Sequence, residues 1–280
     1  MADQPHKKTI LVTGCSSGIG AYCARALQAE GWLVAASART EEDIRKLRED
    51  GLEAFHLDYS DDRSIQDFFD SAMAVTGGRC DALFNNGGYG QVGAVEDVPV
   101  EALRAQFEAN VFGWHRLTRL VLPVMRRAGH GRIVQCSSIL GLVPMRFRGA
   151  YNASKHALEG LSVTLALELE NTGIHVSLIE PGAIDTEFRS NALTHLHRNI
   201  DIETSVHRDD YKAQLRRLDQ SLASGKRRLG PEAVHKVLRH ALTSRRPRYH
   251  YPVTREAKIG VIARRLLPSR WFYPFLARQG

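Results

Sequence analysis

Short apolar, β-branched runs alternate along this chain with longer stretches whose apolar residues recur every three or four positions. That alternation constrains the fold more than any other feature. Strands are expected at 9–13, 33–38, 53–57, 81–84, 132–136 and 175–179, with helices at 18–30, 41–49, 61–75, 100–127 and 150–171. The last helix carries Leu158, Leu161, Leu165 and Leu169 at the spacing of one apolar face. Strands joined through helices pair in parallel and need both sheet faces covered. The expected fold is therefore α/β, a single doubly wound Rossmann-type parallel sheet with helices on both faces.

After Pro181 the pattern changes. Residues 191–224 are polar, contain several histidines and read as an irregular, mobile helical lid over a substrate. Residues 231–243 read as a further helix, 248–251 as an added edge strand, and 256–277 as a C-terminal extension mixing Arg with bulky apolar groups. No internal repeat or low-complexity linker interrupts the 280 residues. We expect a single domain, with a core over 1–190, the lid, helix and last edge strand over 191–253, and a basic apolar tail over 254–280.

The formal charge of +7 raises nucleic acid or an anionic membrane surface as partners, but its distribution decides how to read it. Residues 226–280 hold fourteen Lys and Arg against Glu232 and Glu256 alone, a net +12, which leaves −5 for everything before them. The body is acidic and the tail basic. Cys15, Cys23, Cys80 and Cys136 form no CxxC pair and have no His at zinc-site spacing, so neither a metal nor a disulfide framework is expected. The first residues lack a signal-peptide apolar region, and charged residues break every run approaching the roughly 18 apolar residues of a spanning helix. A cytoplasmic protein is the expectation.

Chemistry enters at Thr13-Gly14-Cys15-Ser16-Ser17-Gly18-Ile19-Gly20, between the first strand and the first helix. Glycines there let backbone approach a pyrophosphate, and the helix N-terminus offers amide donors and the positive end of its dipole. Gly14, Ser16, Ser17, Gly18 and Ile19 are the candidate contacts. An acid at the end of the second strand would select NAD(H), by accepting from the ribose hydroxyls and repelling a 2′-phosphate. Here that end reads Ala36-Ser37-Ala38-Arg39, so Arg39, helped by Ser37, favours NADP(H). Asp58, after the third strand, is placed either to accept from the adenine amine or to cap the next helix.

Further motifs follow in order: Asn85-Asn86-Gly87-Gly88, Asn110, Ser137-Ser138, Tyr151-Asn152-Ala153-Ser154-Lys155, and Pro181-Gly182 with Thr186. Over residues 8–190 this set resembles the short-chain dehydrogenase/reductase family. Tyr151 and Lys155 lie four apart and share a helix face, so the ammonium is expected to lower the phenol's pKa toward working pH for acid/base work. The resemblance implies that Ser138 hydrogen-bonds the substrate oxygen, that Lys155 also holds the nicotinamide ribose, and that Asn110 holds a water leading from Lys155 to solvent. It further implies cofactor contacts from Asn86, Gly88, Pro181, Gly182, Ile184 and Thr186. Singly, each residue also has an ordinary reading: a surface Tyr–Lys pair, a strand-end serine, a satisfied core amide. Where the family usually has Ala, this chain has Gly87, which is expected to loosen the adjacent loop.

Within the family, the Cys15-Ser16-Ser17 loop, Ala38-Arg39, Leu178-Ile179-Glu180-Pro181-Gly182 and the basic C-terminus resemble the branch of bacterial NADP-dependent aldehyde reductases, itself similar to hydroxysteroid and retinol dehydrogenases. The activity implied is hydride transfer from NADPH to an aldehyde or ketone on a hydrophobic skeleton. Two alternatives are a membrane-associated hydroxysteroid or retinol-type dehydrogenase and a non-enzymatic NADP-binding regulator. Leu140, Leu142, Val143, Met145 and Phe147 are candidates for an apolar pocket wall. Family members commonly pair through the helices at 100–127 and 150–171, which implies a homodimer or homotetramer. For the tail, three readings stay open: an anionic membrane, apolar packing on the body or a partner subunit, and nucleic acid, for which no recognition motif is present and which we do not expect.

Overall fold

A computed structural model describes residues 7–223 and 228–278. Parts of the expected divisions at 1–6, 224–227 and 279–280 lie outside the described residues. The strands are β1 (Thr9–Val12), β2 (Leu33–Ala38), β3 (Glu53–His56), β4 (Ala82–Asn85), β5 (Gly131–Cys136), β6 (Ile174–Glu180) and β7 (His250–Pro252). They form one sheet in the order β3-β2-β1-β4-β5-β6-β7, with every neighbouring pair parallel. The expected Rossmann-type sheet is present. Strand order reverses beside β1, where the chain crosses from β3 to β4, and the crevice above that point is where such sheets bind ligands.

Helices α1 (Gly18–Ala29), α2 (Glu41–Glu49), α3 (Asp62–Thr76), α4 (Val100–Phe107), α5 (Gly113–Ala128), α6 (Gly149–Glu168), α7 (Phe188–Asn199), α8 (Arg208–Ala223), α9 (Glu232–Thr243), α10 (Arg255–Leu266) and α11 (Ser269–Ala277) complete the described structure. On one face α1 packs against α9; on the other α3 packs against α5, and α4 against α6. All four residues of β1 and of β4 are buried, as strands covered on both faces require. Trp114, Phe68 and Phe84 are the large side chains sealed between sheet and helices.

Two expectations need correction, and the tail reading narrows. The helix expected over 100–127 is interrupted by a π turn at Glu108–Phe112, whose wider winding separates α4 from α5. The irregular helical segment expected over 191–224 holds, within the described residues, two regular helices, α7 and α8, joined by turns at 200–207 and seated on a second small core of Val92, Ala94, Phe147, Ala192, Leu196, Ile200 and Tyr211. Tyr211 pins it further, accepting from Ala94 N at 2.7 Å and donating to Asp97 Oδ2 at 2.8 Å. In the tail, Pro268 separates α10 from α11, yet Pro274 lies inside α11. Of the tail's bulky groups Phe272 is buried, whereas Ile259, Ile262, Leu266, Trp271, Tyr273 and Phe275 are exposed. Packing on the chain's own body therefore does not account for them.

Candidate active site

A cavity of about 730 Å³ lies over the crevice beside β1, and the candidate catalytic and cofactor residues named from the sequence line it. At its floor Gly14 has φ +67, and a Cβ there would sit 2.4 Å from Gly87 Cα, so two backbone loops touch where only glycine fits. Asn86 clamps them by donating Nδ2 to the carbonyls of Thr13 and Gly14 at 3.1 and 3.2 Å. Gly87 does not loosen this loop. Its N–H donates to Thr13 Oγ1 at 3.2 Å, its carbonyl accepts from Trp114 Nε1 at 2.7 Å, and an alanine Cβ would press within 3.2 Å of Gly14 and Tyr59.

Contrast between helix starts marks the anion end. The N-terminus of α2 is capped by Thr40, which accepts from Asp43 N at 3.1 Å, and has three acids in its first turn. That of α1 has no acid in its first turn, and its N-cap Ser17 makes no capping bond. Its amides are left for a ligand, and they line the cavity with Ser16, Ser17 and Gly18. A dinucleotide pyrophosphate fits this cradle.

Arg39 is exposed at the end of β2 and lines the same cavity. Ser37 lines the cavity beside it, and its Oγ accepts from Gly14 N at 3.4 Å, which braces the glycine loop and leaves its hydroxyl hydrogen to donate. Asp58 does not cap α3. Asp61 does, accepting from Arg63 N at 2.9 Å, while Asp58 Oδ1 accepts from Ser60 N and Oγ at 2.9 and 2.7 Å. Burial works against the Asp58 charge, but those bonds and the Arg39 guanidinium outweigh it and hold the carboxyl below its usual range.

At the other end Ser138, just past the end of β5, and Tyr151, on α6, line the same cavity, and the Ser138 Oγ accepts from Leu140 N at 3.1 Å. Burial pushes the Tyr151 pKa up, against the lowering effect of Ser138. The phenol is therefore raised and not depressed as expected, with Cys136 acting in the same direction as burial. Lys155 Nζ donates to Cys136 O at 2.8 Å and lies 4.2 Å from the centroid of the Trp114 ring. Burial brings the Lys155 pKa down to about 8, opposed by the charges of Cys136 and Glu159. Asn110 is fully buried in the π turn, where it accepts from Tyr89 N at 3.2 Å and donates to Tyr89 O and Ser154 Oγ at 3.0 and 3.3 Å. It does not touch Lys155 directly.

Thr186 and Ile184 enter the cavity beyond β6, with Pro181 and Gly182 at the strand's end. Of the expected apolar wall, Leu140 and Met145 line the cavity, whereas Phe147 belongs to the core under α7 and α8. Sequence reasoning missed Phe188, whose ring packs on Tyr151 with centroids 5.5 Å apart, and Trp114, one helical turn beyond Asn110. It also missed Arg148 and Arg189, which line the cavity from the starts of α6 and α7.

A family model described as short chain dehydrogenase matches residues 8–196. An uncharacterized oxidoreductase, YbbO, of Escherichia coli is 38% identical over 264 residues, covering 94% of this chain and 92% of the relative. Retinol dehydrogenase 8 of Bos taurus is 35% identical over 88% of this chain and 81% of its own length. Among solved structures, an actinorhodin polyketide ketoreductase with NADPH superposes with a TM-score of 0.73 at 30% identity, covering 90% of this chain and 97% of that one.

Proposed function

The chain belongs to the short chain dehydrogenase family, an oxidoreductase family, and from that premise we propose that it reduces an aldehyde or ketone on a hydrophobic skeleton with NADPH, the alcohol oxidation being the same reaction reversed. One observation carries the reading. The buried Tyr151 side chain, with Ser138, lines the same cavity as the uncapped start of α1 and the cation Arg39.

When bound, NADPH supplies the hydride. Gly14, Ser16, Ser17, Gly18 and Ile19 would hold its pyrophosphate, Arg39 the 2′-phosphate and Asp58 the adenine amine, with Asn86, Gly88, Pro181, Gly182, Ile184 and Thr186 completing the contacts. The lack of an acid at the end of β2 supports NADPH over NADH. Because burial keeps Tyr151 protonated, it enters the reduction as an acid and gives its proton to the carbonyl oxygen as charge builds there. Ser138 donates to the same oxygen. Lys155, with a pKa near 8, is mostly charged at neutral pH and stabilises the phenolate that remains. Asn110 fixes the Tyr89 backbone and, through a water, would return a proton by way of Lys155.

We further infer a homodimer or homotetramer, supported by the exposed Leu103, Phe112, Leu161 and Leu167 on or beside α4, α5 and α6. Among the described residues no helix is long and apolar enough to cross a membrane. The exposed apolar groups of α10 and α11, set among Arg264, Arg265 and Arg270, support a cytoplasmic protein that touches an anionic membrane face.

The deciding experiment follows NADPH absorbance with medium-chain aldehydes, steroid ketones and retinal. Wild type should turn over, and Tyr151→Phe should lose about 10²–10⁴-fold in kcat while still binding NADPH. Full turnover by that variant would refute the assignment of Tyr151. Tight NADPH binding with no turnover of any carbonyl would favour the regulator instead.

A further inference from the structure

The half of the cavity beyond Tyr151 carries charge that the reaction above does not use. Arg148 is the N-cap residue of α6, three positions before Tyr151, and Arg189 lies in the first turn of α7, next to the Phe188 ring that packs on Tyr151. Both line the cavity. Neither stands where helix electrostatics would put a cation, because a helix N-terminus is itself the positive end, and neither α6 nor α7 has an acid in its first turn.

The two guanidiniums also act against each other. Burial and then the Arg189 charge push the Arg148 pKa down to about 10. Burial and then Arg228 push Arg189 down, with Asp185 acting the other way. Among the described residues neither forms an ion pair, in contrast to Arg146 nearby, which pairs with Asp210 at 3.5 Å. Arg148 Nη1 donates to Phe147 O at 3.0 Å. The aspartates of the cavity wall do not answer this charge, because Asp43 accepts from Thr40 and Asp58 from Ser60, at the Arg39 end. Two partly buried cations opposed by each other and by two helix dipoles form a local conflict of the kind retained where a ligand relieves it.

We propose that Arg148 and Arg189 form an anion subsite for a carboxylate at the far end of the carbonyl substrate. The favoured substrates are then oxo acids, with the carbonyl at Tyr151 and an apolar chain running along Leu140, Met145, Phe188 and Leu193. A guanidinium meets a carboxylate in a planar, two-point arrangement, and two such groups hold both oxygens. This substrate class rests on the carbonyl-reductase reading.

The test measures NADPH oxidation with 4-oxobutanoate, 6-oxohexanoate and 9-oxononanoate, each beside its methyl ester. For at least one chain length the acid should exceed the ester in kcat/KM by about tenfold or more, the scale of one charge-assisted hydrogen bond. Arg148→Gln and Arg189→Gln should bring that ratio near one, and Arg→Lys at each position should restore part of it. The wild-type ratio stands even if a variant fails to fold. Equal turnover of acid and ester at every length would overturn the subsite and leave the reductase reading intact. A rise in NADPH Kd in the Gln variants with the acid preference kept would assign the arginines to the cofactor phosphates and also overturn it. Silence of acids, esters and neutral aldehydes alike would remove the reductase reading and the subsite together.

Discussion

Behind Lys155, Glu159 of α6 and Glu180 at the end of β6 are buried side by side, and His250 reaches both: Nδ1 lies 2.7 Å from Glu180 Oε1 and 3.6 Å from Glu159 Oε2. Neither Glu159 oxygen accepts a hydrogen bond. Burial, and then the Glu180 charge, raise the Glu159 pKa from 4.5 to about 7. The folded protein thus keeps a proton on Glu159 between pH 4.5 and 7 that the unfolded chain has released, so stability falls as pH rises through this window and the loss is complete above it. At about 1.4 kcal/mol per pH unit, the loss amounts to roughly 3 kcal/mol. Glu159→Gln keeps the shape and removes the titration. Urea unfolding at pH 5, 6, 7 and 8 should show the variant close to wild type at pH 5 and more stable by up to about 3 kcal/mol at pH 8, or roughly 6–12 °C in Tm. A variant less stable than wild type at pH 8, or a difference that does not change with pH, would refute the reasoning.

Arg39→Ser should raise KM for NADPH by about 10–100-fold and leave KM for NADH within a few-fold, since it removes one charge-assisted contact to the 2′-phosphate; steady-state kinetics with both cofactors checks this. Reduction should decline as pH rises past about 8, where Lys155 loses the charge that stabilises the phenolate, and a kcat profile from pH 6 to 10 reads it. The full-length protein should co-sediment with phosphatidylserine vesicles at low salt and not with neutral ones, and Trp271→Ser with Phe275→Ser should weaken this several-fold. A dimer-to-monomer shift in those variants, without vesicle binding by wild type, would assign the surface to a second protomer.

The sheet, and the gathering of the candidate cofactor residues around one cavity, were legible because their signals are local. A strand shows in four to six consecutive residues, and the Gly14–Gly20 turn and the Tyr151–Lys155 spacing each fit within two helical turns. What sequence did not reveal is non-local. The π turn adds one residue to a helical winding and barely disturbs the apolar period around Val111 and Trp114. The core under α7 and α8 joins Val92, Phe147, Leu196 and Tyr211 from segments far apart in sequence, one of them read as pocket wall and another as polar. The Tyr151 pKa followed the same rule: its neighbour four residues on was visible, but the burial that raises it is a property of the assembled fold.

The groups that stability alone would have arranged differently gather around one end of the sheet. The start of α1 goes uncapped, Arg148 and Arg189 lie close to each other without an ion pair among the described residues, and Glu159 and Glu180 are buried together. The first two conflicts border the cavity and are relieved by anions bound there. The third acts on Lys155, because the Glu159 charge raises the lysine pKa against the burial that lowers it. Glu159→Gln should therefore stabilise the fold while depriving Lys155 of support, moving the alkaline limb of the reduction profile below its wild-type position near pH 8. A variant that gains stability and loses activity at neutral pH is what an acid pair kept for its effect on Lys155 requires.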